Sequence, residues 1–225
     1  MNVHLNRDGN VSVVTLDRGE HRFHPELLDA LDAALDEVEA GEGPAAVVLT
    51  GAGRFFSNGL DLEWMGTAPE GGAQEVLERV HRLYARLLGW EVPTVGAING
   101  HAFAGGAMLS LALDQRVMRA DRGFWCLPEV ALGLPFTPGM SALCAARLAP
   151  QAAHVAMTSG RRFGGTDALE HGIVDAVAPE DRVVADATAR AAELAPTRGP
   201  VLAAIKRELH AVALERLAAG AALPA

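Results

Sequence analysis

Two glycine-bearing turns hold the residues best suited to chemistry. One lies in INGHAFAGGAMLSLALD, Ile98 to Asp114, where Gly105 and Gly106 lead into a helical pattern from Ala107 onward. A Gly-Gly pair at a helix entrance lets a ligand approach the main chain and leaves the first N–H groups without intrahelical acceptors. Donors at the positive end of a helix stabilise developing negative charge. The other turn lies in GAGRFFSNGLD, Gly51 to Asp61, directly after the apolar run Ala45–Thr50. Two such turns in one domain suggest a pair of main-chain donors facing one oxygen, an oxyanion hole.

The elements that would position these turns follow from apolar spacing. Val11–Leu16 reads as a strand, and Leu27, Leu28, Leu31, Leu35 and Val38 recur at helical spacing over Pro25–Ala40. Gly41-Glu42-Gly43-Pro44 stops that helix, and Ala45–Thr50 reads as a buried strand. A helix over Gln74–Trp90, a strand over Pro93–Ile98 and a helix over Gly105–Leu113 come next, then short strands at Gln115–Arg119 and Phe124–Cys126. Beyond Pro138 the pattern is mostly helical, with a return strand at Ile173–Ala178 and Ala-rich helices at Asp181–Leu194 and Pro200–Ala219. The alternation predicts an α/β fold, a parallel sheet covered by helices. Gly66–Gly72, with Pro69 and three glycines, reads as a loop.

Composition narrows the class. Half of the 225 residues are hydrophobic, enough for a large core. The formal charge of −9, from 19 basic and 28 acidic residues, argues against nucleic-acid and anionic-membrane partners. Cys126 and Cys144 make no disulfide framework and read as small core residues in a reducing compartment. The polar, alternating N-terminus does not resemble a signal peptide, and residues 92–113, the one stretch near membrane-span length, contain Pro93, Asn99 and His101. The C-terminal Ala-Ala-Leu-Pro-Ala is no peroxisomal address. A cytoplasmic protein is expected.

The order FSNGLD, NGHAFAGGA, then PEVALGLP resembles the crotonase (enoyl-CoA hydratase/isomerase) superfamily across nearly the whole chain. The run from Ile98 to Met140 looks most like the Δ3,Δ2-enoyl-CoA isomerases within it. The resemblance implies a spiral of ββα repeats over residues 1–178. It also implies a helical region over 179–225 that serves trimerisation and CoA contact, the whole being effectively one domain. It implies acyl-CoA thioester substrates, homotrimers or hexamers, and no separate cofactor, coenzyme A being part of the substrate. The family's two oxyanion donors fall on the N–H groups of Leu60 and Gly105. A thioester oxygen between them gains stabilisation as it becomes an enolate, which lowers the barrier.

Family hydratases carry two glutamates, one three residues after the second oxyanion glycine and one in the later PE. Here those positions are Met108 and Glu129. A thioether can neither hold nor ionise a water molecule. Moving a double bond needs only one base, which takes a proton from C2 of a 3-enoyl thioester and returns it to C4. The resemblance assigns that role to Glu129. Its neighbours Phe124, Trp125, Leu127, Pro128, Val130, Leu132 and Leu134 predict an apolar wall that raises a carboxyl pKa.

Trp64, Met65, Met108, Phe136 and Met140 are candidate substrate-pocket residues, with ordinary core as their other reading. Relatives hold the CoA adenine near the first turn, here around Asn58 and Leu62. Arg18, Arg22, Arg54 and Lys206, the only lysine, are candidate phosphate partners, against the alternative of solvated surface charge. His101 is expected to be buried and hydrogen-bonded beside the turn, Asn99 to brace main chain, and Asp61 to cap a helix starting near Leu62.

Rival readings fail on detail. Gly51-Ala52-Gly53 is followed by Phe56 where a dinucleotide turn needs glycine. No G-x-S-x-G elbow surrounds Ser57 or Ser141. His21, His24 and Glu26 match no zinc spacing, so no metal site is expected. Enoyl-CoA hydration, thioester hydrolysis and a non-catalytic CoA-binding scaffold remain the alternatives to isomerisation.

Overall fold

A computed structural model describes residues 2–223. The chain opens with β1 (Val3–Asp8), β2 (Val11–Leu16) and α1 (Pro25–Glu39), then β3 (Ala46–Gly51), β4 (Phe55–Ser57), α2 (Leu62–Thr67) and α3 (Gly72–Gly89). It continues through β5 (Thr94–Ile98), β6 (His101–Phe103), α4 (Gly105–Ala112), β7 (Gln115–Arg119), β8 (Trp125–Cys126) and α5 (Glu129–Leu132). The last part holds α6 (Pro138–Arg147), α7 (Pro150–Ser159), β9 (Arg162–Phe163), α8 (Gly165–Glu170) and β10 (Ala176–Ala178). It ends with α9 (Val183–Leu194), α10 (Pro200–Leu209) and α11 (Ala211–Ala218).

From β3 to β8, successive strands alternate between two sheets. The larger has the order β1-β2-β3-β5-β7-β10, and the smaller β4-β6-β8-β9. Every pairing in the larger sheet is parallel except β1 with β2. The strand pairs β3–β4, β5–β6 and β7–β8 each send the first strand to the large sheet and the second to the small sheet before turning into a helix, whereas β1 and β2 both lie in the large sheet before α1. That is the expected ββα spiral.

β3 shows why the large sheet is covered on both faces. All six of its residues are buried. Val47 and Leu49 join one core with α1 and α3, while Ala46 and Val48 join the other with Ala187 and Ala191 of α9. The five apolar positions expected of α1 are all buried, each contributing about 1.5–3 kcal/mol. The division at residue 178 coincides with the end of β10. Beyond it, α9 still covers the large sheet, and α10 and α11 pack on α3 and α6.

Several boundaries differ from the sequence expectation. β1 went unread because it is an edge strand whose last three residues are exposed. β4, β6 and β9 are two or three residues long and lie inside segments whose glycines read as turns. Gly66 and Thr67 belong to α2, so the expected loop shrinks toward Ala68–Gly71. The final helix breaks at His210 into α10 and α11. No helix of the described residues is long and apolar enough to cross a membrane.

Candidate active site

Parallel pairing of β4 with β6 brings the two glycine turns together. Gly59 has φ +76°, and a Cβ there would stand 2.7 Å from the Gly105 nitrogen, so only glycine fits. A Cβ on Gly106 would collide with the Ser57 carbonyl at 2.2 Å. The Ser57 hydroxyl braces the first turn: it donates to the His21 carbonyl (2.7 Å) and accepts from the Gly59 N–H (3.2 Å). Among the described residues, neither the Leu60 nor the Gly105 N–H donates to a main-chain carbonyl. Gly105 opens α4, so its N–H also carries the helix's positive end. The preceding Ala104 is held at φ 50°, ψ −123°, a region that favours glycine.

Asn99 braces this end of the sheets as expected. Its carbonyl accepts from the Gly51 N–H (3.1 Å), and its amide donates to Gly53 (2.9 Å) and Phe55 (3.2 Å). Asp61 caps α2 by accepting from the Trp64 N–H.

Leu60 and Gly105 open into a cavity of about 460 Å³. Its lining includes Met65, Met108, Glu129, Phe136 and Met140, with Asn58, Leu62 and Arg22 also on its wall. Asn58 and Arg22 both donate to the Glu20 carboxylate, at 2.8 Å and 2.6 Å, which fixes the two side chains beside one another.

Glu129 is the first residue of α5 and is 7% exposed. Its Oε2 is buried without a hydrogen-bond partner among the described residues. Burial pushes the carboxyl up to about 7, partly opposed by a main-chain hydrogen bond. The apolar wall differs from the expected one. Pro128, Leu132 and Leu134 line the cavity, but Phe124 and Val130 are 40% and 51% exposed, and Trp125 turns into the core to donate to the Ser110 hydroxyl. Met108 and Met140 take their place.

Three expectations need correction. Lys206 does not reach the cavity: its ammonium is 2.8 Å from Asp114 and donates to the Leu87 carbonyl at 3.0 Å, with the residue 5% exposed. A buried, fully paired ammonium has nothing left for a phosphate. Trp64 lies off the lining, its ring against His24 with centroids 5.6 Å apart. His101 also departs from expectation. Its Nδ1 has no partner among the described residues, and the ring packs among Phe55, Phe103 and Phe124.

Sequence reasoning missed Thr137, Tyr84 and Phe23. Thr137 is fully buried, lines the cavity and caps α6 by accepting from the Met140 N–H. The His81 Nδ1 faces the Leu217 carbonyl, so it carries the ring proton, and Nε2 accepts from the Thr137 hydroxyl at 2.9 Å. Burial lowers the His81 pKa and keeps the ring neutral. The T-x-x-M cap was readable in sequence, whereas the His81 contact spans 56 residues and was not.

The chain is similar to known proteins over nearly its whole length. Residues 6–224 match the family model described as enoyl-CoA hydratase/isomerase. The chain is 35% identical over 220 residues to enoyl-CoA delta isomerase 2, peroxisomal, of Arabidopsis thaliana, covering 92% of this chain and 91% of that protein. It is 37% identical over 194 residues to a putative enoyl-CoA hydratase of Thermus thermophilus, covering 83% and 75%. The crystal structure of human mitochondrial delta3-delta2-enoyl-CoA isomerase matches with a TM-score of 0.89 at 27% identity, covering 97% of this chain and 87% of that one. The chain belongs to the enoyl-CoA hydratase/isomerase family and has the crotonase fold.

Proposed function

We propose that the protein is a Δ3,Δ2-enoyl-CoA isomerase that works with a single glutamate. The Glu129 carboxylate removes a proton from C2 of a 3-enoyl-CoA, and the electron pair moves into the thioester carbonyl to give a dienolate. The Leu60 and Gly105 N–H groups hold its oxygen. The protonated Glu129 then returns the proton to C4, leaving the double bond between C2 and C3. A carboxyl pushed up to about 7 suits both halves of this shuttle, since it accepts and releases a proton near neutrality. Asn58, Leu62 and Arg22 would meet the CoA portion, which enters as substrate.

The observation that carries the reading is that Glu129 is the only carboxylate on the cavity wall among the described residues, with Met108 where hydratases have a second one. The Thr137 hydroxyl cannot stand in for that second carboxylate: its proton is committed to His81 and, unlike a carboxylate, it does not ionise to deprotonate a water. Assembly as a homotrimer or hexamer is part of the same proposal. The exposed stripe Val201, Ile205, Leu209 and Val212 on α10 and α11 supports self-association.

Incubation with a 3-enoyl-CoA tests the activity through the ultraviolet absorbance of the conjugated thioester. Appearance of 2-trans-enoyl-CoA is the expected result. Loss of absorbance starting only from the 2-enoyl thioester means hydration instead. Release of free thiol means hydrolysis, and no change with either thioester means a binding protein.

A further inference from the structure

One side chain outside the proposed chemistry grips it from behind. Tyr84, the only tyrosine in the chain, is fully buried on α3 and donates its hydroxyl to the Gly105 carbonyl at 2.6 Å. A Cβ on Gly105 would stand 3.0 Å from that hydroxyl and 3.0 Å from the Phe23 ring, so both side chains press on the Gly105 Cα. The rings of Phe23 and Tyr84 meet edge to face, with centroids 6.4 Å apart. Phe23 also holds the other turn: its N–H donates to the Gly59 carbonyl at 2.7 Å, and it pairs with Leu60 in an isolated bridge.

Phe23 thus touches both turns, and Tyr84 holds the second from behind. The β4–β6 ladder cannot set their spacing alone, because its register shifts between Phe55 and Ser57, just before the first turn. A backbone whose ladder is irregular needs a second restraint if two N–H groups are to point at one oxygen. Preorganised donors stabilise a transition state only when their geometry is fixed in advance.

We propose that Tyr84, backed by Phe23, is a positioning residue that fixes the Gly105 N–H against the Leu60 N–H, so that its hydroxyl contributes to enolate stabilisation without touching substrate. This rests on the reading of Leu60 and Gly105 as oxyanion donors. Burial and the Glu129 charge hold the Tyr84 phenol well above its ordinary pKa, so it remains a donor across the working range.

The test uses acetoacetyl-CoA, a 3-ketoacyl thioester whose enolate absorbs in the ultraviolet. It is bound to Glu129→Gln protein so that no carboxylate competes for the proton. At pH 7 the bound probe is expected to be enolised several-fold more than the free probe. Adding Tyr84→Phe should cut that enolate fraction at least threefold while probe affinity stays within threefold. With Glu129 intact, Tyr84→Phe alone should lower kcat about tenfold and leave KM within twofold.

An equal enolate fraction with and without the hydroxyl overturns the positioning role and leaves the oxyanion reading standing. No enrichment in either protein overturns the oxyanion reading, and this proposal with it. Should Tyr84→Phe fail to fold, growth on 3-fluorotyrosine changes only this residue and preserves its volume. Its fluorine resonance should then shift when the probe binds, and the enolate fraction should change with the more acidic phenol. An unmoved resonance with an unchanged enolate fraction overturns the proposal.

Discussion

Glu129 and Lys206 are buried to nearly the same extent, 7% and 5% exposed, yet the fold treats them in opposite ways. Lys206 meets the Asp114 carboxylate and the Leu87 carbonyl, and Asp114 in turn accepts from the Thr94 N–H (2.8 Å) and hydroxyl (3.0 Å). Arg147 donates to the carbonyls of Leu111, Leu113 and Asp114 alongside. Every charge in that cluster has partners, and the cluster ties α10 to the large sheet. Glu129 has an oxygen with no partner at all among the described residues. A buried charge with partners holds elements together, whereas one left without them disfavours its own ionisation and stays free to exchange protons.

Glu129→Gln separates the two regions most sharply. Loss of the base should reduce isomerisation about 10²–10⁴-fold, while acyl-CoA affinity stays within threefold by titration. The same variant should be more stable than the parent above pH 7. A carboxyl whose folded pKa is raised favours the fold fully below its unfolded pKa near 4.5 and loses that advantage as pH rises through about 7. The ceiling is about 3 kcal/mol, at roughly 1.4 kcal/mol per pK unit. Melting curves at pH 8 and pH 5 should show the gain of the variant shrink on acidification.

Lys206→Met attacks the partnered region. It leaves Asp114 buried without its counter-charge and should cost about 3 kcal/mol, lowering Tm by roughly 6–12 °C in a chain of this size. The KM for acyl-CoA should stay within twofold of the parent. A large rise in KM without a fall in Tm would return Lys206 to the role of CoA ligand.

The pH dependence of kcat/KM should come next in size. Activity should fall about tenfold per pH unit below about 7 as Glu129 becomes protonated in the free enzyme. A flat profile from pH 5 to 8 would exclude Glu129 as the titrating base. Met108→Leu should change least: a volume-conserving swap costs under about 1.5 kcal/mol, and isomerisation should persist because the thioether supplies shape alone. An abolished rate at unchanged stability would mean that the sulfur takes part.

The parts of the site written in local sequence were legible. Glycine at 59 and at 106 is demanded by contacts a Cβ would destroy, and a Gly-rich turn carries that demand openly. Asp61 and Asn99 act within or beside their own turns, where short polar side chains announce themselves. Lys206 was misread because its partner Asp114 lies 92 residues away, and charge alone does not say whether a lysine faces water. The wall around Glu129 was misassigned for a related reason. Residues adjacent in sequence to a short helix alternate around it, so Val130 faces outward while Met108 and Met140 arrive from other helices. Of the small sheet only β8 was legible, within the expected strand Phe124–Cys126; β4, β6 and β9, at two or three residues, carry too little periodicity to be seen.

Ala104 occupies a main-chain conformation that costs a residue with a Cβ about 1–3 kcal/mol. Interactions elsewhere in the fold must offset that strain, and local loosening at this bend would relieve it. The peptide unit that follows Ala104 carries the Gly105 amide, so relaxation at this bend would turn that N–H away from the cavity while the interior is still intact.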